Sequence, residues 1–337
     1  MPSELRVDKV SSTTSPYDPV FSTTGGALSH RNMIINGAMQ VAQRGTSFTT
    51  DNVYTLDRWK SGDGTGGTPA RTLSQETFTL GQTDVVGFHK YLRHNQTGAS
   101  TSGNSSLTTR IEDVTQFDGT TITVSFYAKA DSAMTAQLRL IQNFGSGGSP
   151  SSDVEVNEDV SIGTSWNRYT VTKTLGSLSG KTLGTDGVHT SYLLVSFDLK
   201  PTTTFTFDIT GVQLERGSVA TPFEHRSYAD ELRSCERYYE AIGNFVGLSN
   251  NTPTSIDGVS SYRTTKRTTS YTVGTKGGAN ISVAHPSIAG LSATGVTAYH
   301  KYKNYFYGGL TVSNTGNPNQ LVTIYLADDT LYVDDEL

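Results

Sequence analysis

Residues 121–129 read TITVSFYAK, and apolar and polar side chains alternate along the whole stretch. Ile122, Val124, Phe126 and Ala128 fall on one face, whereas Thr, Ser, Tyr and Lys side chains fall on the other. Successive side chains of a β-strand point to opposite sides of a sheet, so the pattern is typical of a strand with one buried face. We therefore predict a half-buried β-strand here.

The same alternation recurs along residues 32–223. Four further segments are predicted as strands on this ground: Ala136–Ile141, Arg168–Thr174, Tyr192–Leu199 and Thr204–Leu214. In the last of them, apolar residues occupy odd-numbered positions as far as Ile209 and even-numbered positions from Val212 onward. Gly211 lies at the change, which is typical of a β-bulge. Many short strands separated by turn-rich spans indicate an all-β antiparallel sandwich or jelly roll.

Composition narrows the class of protein. Hydrophobic residues make up 34% and charged residues 17% of the 337 residues, which suits short strands and polar turns. The net charge is −5 and basic residues form no large block, so nucleic acid is not expected as the main partner. No apolar run long enough to span a membrane is present. Cys235 is the single cysteine and Met1–Val10 lacks an apolar signal core, which fits assembly in a reducing cytoplasm.

One convincing helix is predicted, at Ser227–Ile242, with Ser227 as its N-terminal cap and Gly243 after its end. Five residues on it are spaced by 4, 3, 4 and 3, as in a heptad seam: Tyr228, Leu232, Cys235, Tyr239 and Ile242. Two interpretations stay open. The helix lies on its own sandwich, or one helix from each of three subunits meets the others on an axis and forms a homotrimer.

The two ends of the chain differ from its middle. Residues 1–31 are polar and broken by Pro and Gly, so we interpret them as an arm held by another chain, with packing on their own domain as the alternative. The candidate anchoring residues of this arm are Leu5, Val7, Val10, Tyr17 and Phe21. Residues 244–337 return to β patterning, with strands predicted at Tyr271–Val273, Asn280–Val283, Leu310–Val312 and Leu321–Leu326. Leu331–Leu337 is predicted as a terminal strand followed by an acidic end.

The best candidate for a binding surface is the stretch YHKYKNYFY at residues 299–307. Its candidate receptor-binding residues are Tyr299, Lys301, Tyr302, Lys303, Tyr305 and Tyr307. Tyrosine has a flat apolar ring and a polar tip, so it suits sugars, which have apolar faces and hydroxyl rims. The lysines would meet acidic groups on a surface polysaccharide. The alternative is that these rings fill a domain core or a trimer axis.

Catalytic signatures are missing from the sequence. No two carboxylates are placed so that a glycosidase pair can be inferred, and no HxH, HExxH, G-x-S-x-G or P-loop string occurs. We therefore predict a protein that is not an enzyme and that needs no organic cofactor.

Three motifs support a family resemblance: NMIINGAMQVAQRG at residues 32–45, YTLDRW at 54–59 and GVQLERGSVATPFEHRSY at 211–228. Together they resemble the carbohydrate-binding-module-like jelly roll of bacteriophage tail fibres and minor virion structural proteins. The resemblance implies a virion component in the tail or another external appendage. It also implies one candidate ligand, Asp208, for a structural calcium ion. The alternative is that Asp208 is solvated or bonds to a turn.

These observations predict four parts: an anchoring arm (residues 1–31), a jelly-roll domain (32–224), a connecting helix (225–243) and a small β domain (244–337). The predicted function is that of a trimeric tail fibre or spike subunit. Its arm would dock on other virion proteins, and its distal domain would bind a host surface glycan or protein without chemistry. Two alternatives are a capsid or tail decoration protein without a receptor role and a polysaccharide depolymerase.

Overall fold

The computed structural model describes the following residues: 30–62, 70–98, 105–199, 203–242, 244–249, 255–275, 281–285, 288–312, 321–325 and 331–336. Within these ranges the chain forms twenty strands and a single α-helix, so the predicted all-β class is confirmed. The five candidate anchoring residues, Leu5, Val7, Val10, Tyr17 and Phe21, lie outside the described ranges. No helix in the described part of the chain is long and apolar enough to cross a membrane.

The first eleven strands form two antiparallel sheets. They are β1 (Ser47–Phe48), β2 (Lys60–Ser61), β3 (Arg71–Thr77), β4 (Lys90–Gln96), β5 (Ser105–Glu112), β6 (Thr121–Ala130), β7 (Met134–Asn143), β8 (Val154–Ile162), β9 (Asn167–Thr174), β10 (Tyr192–Leu199) and β11 (Phe205–Arg216). One sheet has the order β1-β3-β4-β11-β6-β9, and the other has the order β2-β5-β10-β7-β8. From β4 to β7 the chain changes sheet at every strand, which is a sandwich connectivity of the jelly-roll kind.

The core of the sandwich lies between these two sheets. The apolar face predicted for residues 121–129 is buried, and Leu138 and Leu140 of β7 face it from the opposite sheet. The Phe126 and Phe197 rings meet edge to face with their centroids 4.8 Å apart. Trp59 is fully buried, and its indole Nε1 donates a hydrogen bond to the Asn36 carbonyl at 3.0 Å. A buried indole needs such a partner, and this one ties the YTLDRW motif to the Asn-Gly motif.

The predicted bulge in β11 is confirmed. The pairing of β11 with β6 shifts between Thr210 and Gln213, and Gly211 has φ +61°. A Cβ at this position would lie 2.7 Å from the Phe88 ring, so glycine is needed both for the backbone angle and for the space. The extra residue keeps Ile209 and Leu214 on the core side although their positions differ in parity.

The opening motif packs directly against this closing strand. The Val212 amide donates to the Gly37 carbonyl at 2.9 Å, and a Cβ on Gly37 would collide with the Val212 carbonyl at 2.0 Å. Asn36 (φ +58°) accepts from the Val41 amide at 2.9 Å and donates to the Asp57 carbonyl at 2.9 Å. Three motifs that are far apart in sequence therefore meet at one end of the sandwich.

The predicted helix is shorter than its sequence pattern indicated. It is α1 (Tyr228–Glu236), and Ser227 caps it as predicted by accepting from the Asp230 amide at 3.2 Å. Tyr239 and Ile242 belong to a strand, so the prediction of one helical seam through Tyr228, Leu232, Cys235, Tyr239 and Ile242 is wrong. The spacing was misleading because β12 is buried on both of its faces, so Tyr239 and Ile242 are both buried although they lie on opposite faces of the strand.

Nine further strands follow the helix. They are β12 (Tyr239–Ile242), β13 (Asn244–Ser249), β14 (Ser255–Ser261), β15 (Thr272–Thr275), β16 (Ile281–His285), β17 (Ile288–Lys301), β18 (Tyr305–Val312), β19 (Leu321–Tyr325) and β20 (Leu331–Asp334). One sheet has the order β12-β20-β15, and the other has the order β16-β17-β18-β14-β13-β19. Ile242 and Val333 of the smaller sheet and Ile256, Phe306 and Leu310 of the larger one share a single apolar core.

Charged side chains join this C-terminal part to the sandwich. Arg58 of the YTLDRW motif is buried and pairs with Glu336, which follows β20. Arg44 pairs with Asp334 at 3.2 Å and with Glu336 at 3.3 Å. The Arg267 guanidinium donates to the His189 carbonyl of the sandwich at 2.7 Å. The predicted domain boundaries at 32–224, 225–243 and 244–337 stay predictions.

Candidate functional site

The tyrosine-rich stretch of residues 299–307 spans the turn of the β17–β18 hairpin. In β18, Phe306, Gly308 and Leu310 are buried, so the alternate residues Tyr305 and Tyr307 point to the outer face. We call the outer group of Tyr299, His300, Tyr302, Tyr305 and Tyr307 the tyrosine surface. Tyr299, Tyr302 and Tyr305 are 50%, 45% and 38% exposed, which is high for aromatic side chains. The alternative of a domain core therefore holds only for Phe306, whereas the alternative of a trimer axis stays a prediction.

Two tyrosines at the hairpin turn form a flat pair. The rings of Tyr302 and Tyr305 are stacked, with their centroids 4.5 Å apart and their planes 23° from parallel. The Tyr302 amide donates to the Tyr305 carbonyl at 2.9 Å, which closes the turn between them. The pair offers a rigid apolar face at the end of the hairpin.

The hydroxyl of Tyr271 supports the turn by contacting two of its carbonyl groups. The Tyr271 hydroxyl lies 3.0 Å from the Tyr302 carbonyl and 3.2 Å from the Tyr305 carbonyl. Burial raises the pKa of Tyr271, so its hydroxyl stays protonated and remains a donor. The Tyr262 amide also donates to the Asn304 carbonyl at 2.9 Å. These bonds hold the turn in one conformation.

A second ring group lies further along the hairpin. Tyr299 and Tyr307 are 5.8 Å apart at 53°, and His300 stacks on Tyr307 at 6.1 Å. The β17–β18 register shifts between Ala298 and His300, so a bulge turns these neighbouring side chains toward Tyr307. Val259 of β14 pairs with Tyr307 and is 40% exposed, so it adds apolar area beside the rings.

Gly309 and Asp257 set the position of Tyr299. The Tyr299 hydroxyl donates to Asp257 Oδ1 at 3.5 Å. A Cβ on Gly309 would lie 2.4 Å from that hydroxyl and 2.9 Å from Asp257 Oδ1. The missing side chain therefore lets the Tyr299 ring lie over the strand. Sequence reasoning missed Asp257, Val259, Tyr271, His300 and Gly309 as parts of this surface, because only strand register brings them to it.

The two lysines of the stretch have different surroundings. Lys301 is half-buried, and its Nζ donates to the Tyr271 carbonyl at 2.7 Å and lies 5.6 Å from the Tyr271 ring centroid. Its ammonium group is therefore engaged with Tyr271, the residue that supports the turn. Lys303 is exposed in the turn next to Tyr302. Of the two predicted cationic contacts, Lys303 is the one placed to meet a ligand.

The other predicted site residues are not brought to this surface. Tyr228 lies exposed on α1, whereas Cys235 is buried, and its burial raises the pKa of the thiol well above the usual value. The Tyr239 ring packs on Tyr332 at 5.5 Å, with the Arg44 guanidinium 3.8 Å from its centroid. Cys235 and Tyr239 therefore pack within the chain itself.

Asp208, the candidate calcium ligand, lies almost fully buried in β11. Its two carboxylate oxygens accept hydrogen bonds from Arg93 of β4 at 2.8 and 2.9 Å, and Lys129 lies 3.9 Å away. It is therefore neither solvated nor bonded to a turn. Within the described ranges, no group of three or more His, Cys, Asp or Glu residues is arranged to hold a metal ion. Calcium at Asp208 stays a prediction.

No family model matches the sequence, and no curated protein sequence matches it. The solved structures similar to it include the enzymatically active domain of tailspike protein 4 of bacteriophage CBA120. The identity is 14% over 56% of this chain and 22% of that chain, with a TM-score of 0.37. They also include a family 11 carbohydrate-binding module of a Clostridium thermocellum cellulosomal cellulase (14% identity, 53% of this chain, 98% of that chain, TM-score 0.32).

The N-terminal cellulose-binding domain of Cellulomonas fimi β-1,4-glucanase C gives similar values, with 15% identity over 53% of this chain and 100% of that chain and a TM-score of 0.32. The chain thus spans about a fifth of the tailspike chain and the full length of the small binding domains. Likenesses as distant as these carry no argument about function. The fold assignment rests on the two packed sheets themselves.

Proposed function

We propose that this protein is a non-catalytic attachment protein that binds a host surface glycan through the tyrosine surface. The observation that carries the proposal is the exposure of Tyr299, Tyr302 and Tyr305 on a hairpin that hydrogen bonds hold rigid. Rings fixed in this way lose little conformational entropy when a ligand stacks on them.

The chemistry of the surface suits a sugar. The Tyr302–Tyr305 pair and the Tyr299–Tyr307 group offer two apolar ring platforms, each carrying phenol hydroxyls that can bond to sugar hydroxyls. His300 and Lys303 are exposed donors beside them. An acidic sugar would gain an additional contact with Lys303.

We further propose that the protein is part of a bacteriophage particle, as a trimeric tail fibre or spike subunit. The support for this role is the resemblance of residues 32–45, 54–59 and 211–228 to virion fibre modules. Residues 1–31 would attach the protein to other virion proteins. Several copies on one particle would let weak single contacts add up to firm attachment.

The proposal that the protein binds without catalysing a reaction is supported by the surroundings of two carboxylates. Asp57 is fully buried, and both of its oxygens accept hydrogen bonds from Gln43 at 2.7 Å. Glu112 is paired with Arg237 at 3.0 Å. These two carboxylates are therefore committed to contacts within the chain, which counts against a role for either of them in glycan cleavage.

The proposal is tested with purified lipopolysaccharides and capsular polysaccharides from bacteria, printed as an array. We expect a subset to bind the wild-type chain. Tyr302→Ala and Tyr305→Ala should each weaken that binding about tenfold or more, because each removes one ring of the stacked pair. Leu80→Ala is the matched control, since it removes an exposed apolar side chain from another part of the chain.

Two results would contradict the proposal. One is that no polysaccharide binds, and the other is that both hairpin variants bind as tightly as wild type while circular dichroism shows them folded. Shortening of a bound polysaccharide by the wild-type chain would instead favour the depolymerase alternative. Binding to purified particles but to no polysaccharide would favour the decoration protein.

A further inference from the structure

A polar groove of about 410 Å³ lies between the sandwich and helix α1. One wall comes from Gln75 of β3 and from four residues of the opening segment, and the other comes from Tyr228 and Leu232 of α1. The four residues are Gln40, Ala42, Gln43 and Thr46. Grooves where separate parts of a protein meet are common sites for small ligands, and this volume falls in the usual range for them.

Gln43 joins the sandwich wall of the groove to β12, the strand that follows α1 and contributes Ala241 to the lining. Its side-chain Nε2 donates to Asp57 Oδ1 at 2.7 Å and to the Tyr239 carbonyl at 2.8 Å. Its Oε1 accepts from the Ala241 amide at 3.4 Å. One amide therefore joins the sandwich to β12, which fixes this side of the groove.

Three polar groups line the sandwich wall without using their full hydrogen-bonding capacity. Gln75 Nε2 donates to the Met39 carbonyl at 2.7 Å and to the Gln40 carbonyl at 3.2 Å, which fixes the amide in one orientation. Among the residues that the structure describes, nothing donates to Gln75 Oε1, and the side chains of Gln40 and Thr46 make no hydrogen bond. The wall thus offers an oriented acceptor, a free amide and a free hydroxyl.

The opposite wall is apolar. The Tyr228 side chain is exposed, and Leu232 is half-buried beside it. The charged group at the rim, Arg263, is engaged elsewhere, since its guanidinium donates to Glu236 at 2.7 Å and to the Ala241 carbonyl at 2.6 Å. The groove therefore combines a ring and neutral polar groups, and its one guanidinium is already partnered.

From this arrangement we propose that the groove is a second binding site, specific for a neutral hydroxylated sugar residue. The sugar's apolar face lies against Tyr228 and Leu232, and its hydroxyls bond to Gln40, Thr46 and Gln75 Oε1. The site is independent of the tyrosine surface, because the two share no residue.

The test is a titration of the full chain by saturation-transfer-difference NMR with three probes: the methyl α-pyranosides of glucose, galactose and mannose. We expect at least one to bind saturably, with a dissociation constant on the order of 1 mM. Tyr228→Ala and Gln40→Ala should each weaken that binding about tenfold. Leu80→Ala, which removes an exposed apolar side chain outside both proposed sites, is the matched control and should leave it unchanged.

Three results would overturn the proposal. The first is that none of the probes gives a saturable signal. The second is that binding persists in Tyr228→Ala and in Gln40→Ala, the latter being a substitution at a polar surface site that leaves folding intact. The third is that Tyr228→Ala converts an oligomer into a monomer in sedimentation equilibrium, which would make the groove a contact between copies. Polysaccharide binding that depends on Tyr302 and Tyr305 would survive each of them, so this site and the tyrosine surface fail separately.

Discussion

At the scale of single residues, His94 is a buried titratable side chain that the sandwich keeps neutral. His94 of β4 is fully buried, with Nε2 2.9 Å from the Ser105 hydroxyl, and its ring lies 5.4 Å from Phe205. Burial, assisted by the nearby Arg71 charge, lowers the pKa of His94 from its usual value of 6.5 to about 3. The folded chain therefore holds a neutral imidazole in conditions where the unfolded chain binds a proton.

This pKa predicts how stability depends on pH. Above pH 6.5 both states carry neutral His94, and the full stability is present. As pH falls from 6.5 toward 3, the unfolded state takes up a proton that the folded state excludes, so stability falls by up to about 1.4 kcal/mol per pH unit. His94→Gln should reduce this slope in urea denaturation between pH 7 and 4.

His300→Gln, which replaces an exposed histidine on the hairpin, is the control for losing a histidine side chain. Equal slopes for wild type and His94→Gln would show that burial does not hold His94 neutral. Buried acids contribute to both curves, for example Glu231, whose pKa is raised by burial, so only the difference between variants reports on His94.

At the scale of elements, the β17–β18 hairpin shows how two adjacent glycines can have different purposes. A Cβ on Gly308 would lie 2.3 Å from the Thr297 carbonyl, which belongs to the backbone of the paired strand. A Cβ on Gly309 would instead meet the Tyr299 hydroxyl at 2.4 Å, and that ring can swing outward. Gly308 is therefore needed for the hairpin, whereas Gly309 is needed for the ring position.

The pair of variants Gly308→Ala and Gly309→Ala separates these purposes. Gly308→Ala should lower the free energy of unfolding by about 1–3 kcal/mol, because a rigid backbone cannot make room. Gly309→Ala should cost less than half as much and yet weaken polysaccharide binding, because it displaces Tyr299. Thermal denaturation and the polysaccharide array provide the two readouts. A larger loss of stability for Gly309→Ala than for Gly308→Ala would contradict this account.

At the scale of the whole molecule, buried ion pairs connect the end of the chain to the sandwich. Glu336 contacts both Arg58 and Arg44, and the side chains of Arg58 and Glu336 are 1% and 4% exposed. The Arg58 guanidinium also lies 3.5 Å from the Tyr238 ring centroid. Removing one partner of such a pair leaves an uncompensated charge away from water, which is far more costly than losing a surface pair.

Glu336→Gln should therefore lower the free energy of unfolding by about 3–5 kcal/mol. Glu158→Gln is the matched control, because Glu158 pairs with Lys173 on the sandwich surface and is 49% exposed. It should cost at most about 1 kcal/mol. Urea denaturation followed by tryptophan fluorescence measures both, since Trp59 is buried in the sandwich. Similar losses of stability for Glu336→Gln and Glu158→Gln would mean that the ion pairs of Glu336 do not hold the end of the chain to the sandwich.

Much of the fold could be predicted because strand patterning is local. Two-residue alternation located β6, β7, β9, β10 and β11, and the change of parity at Gly211 located the bulge. The cap at Ser227 is also local, since it joins residues three apart. The end of α1 could not be predicted, because β12 forms only when β20, from almost 90 residues further on, pairs with it.

The sequence by itself determined the all-β class, the faces of the sandwich strands and the stretch of tyrosines at residues 299–307. These follow from periods of two residues and from side-chain chemistry, which need no partner. Tertiary structure alone decided which rings are exposed, that Lys301 braces the turn, and that Arg58 meets Glu336. The physical reason is that strand register and ion pairing join residues distant in sequence, and a one-residue slip of register would turn every side chain to the other face.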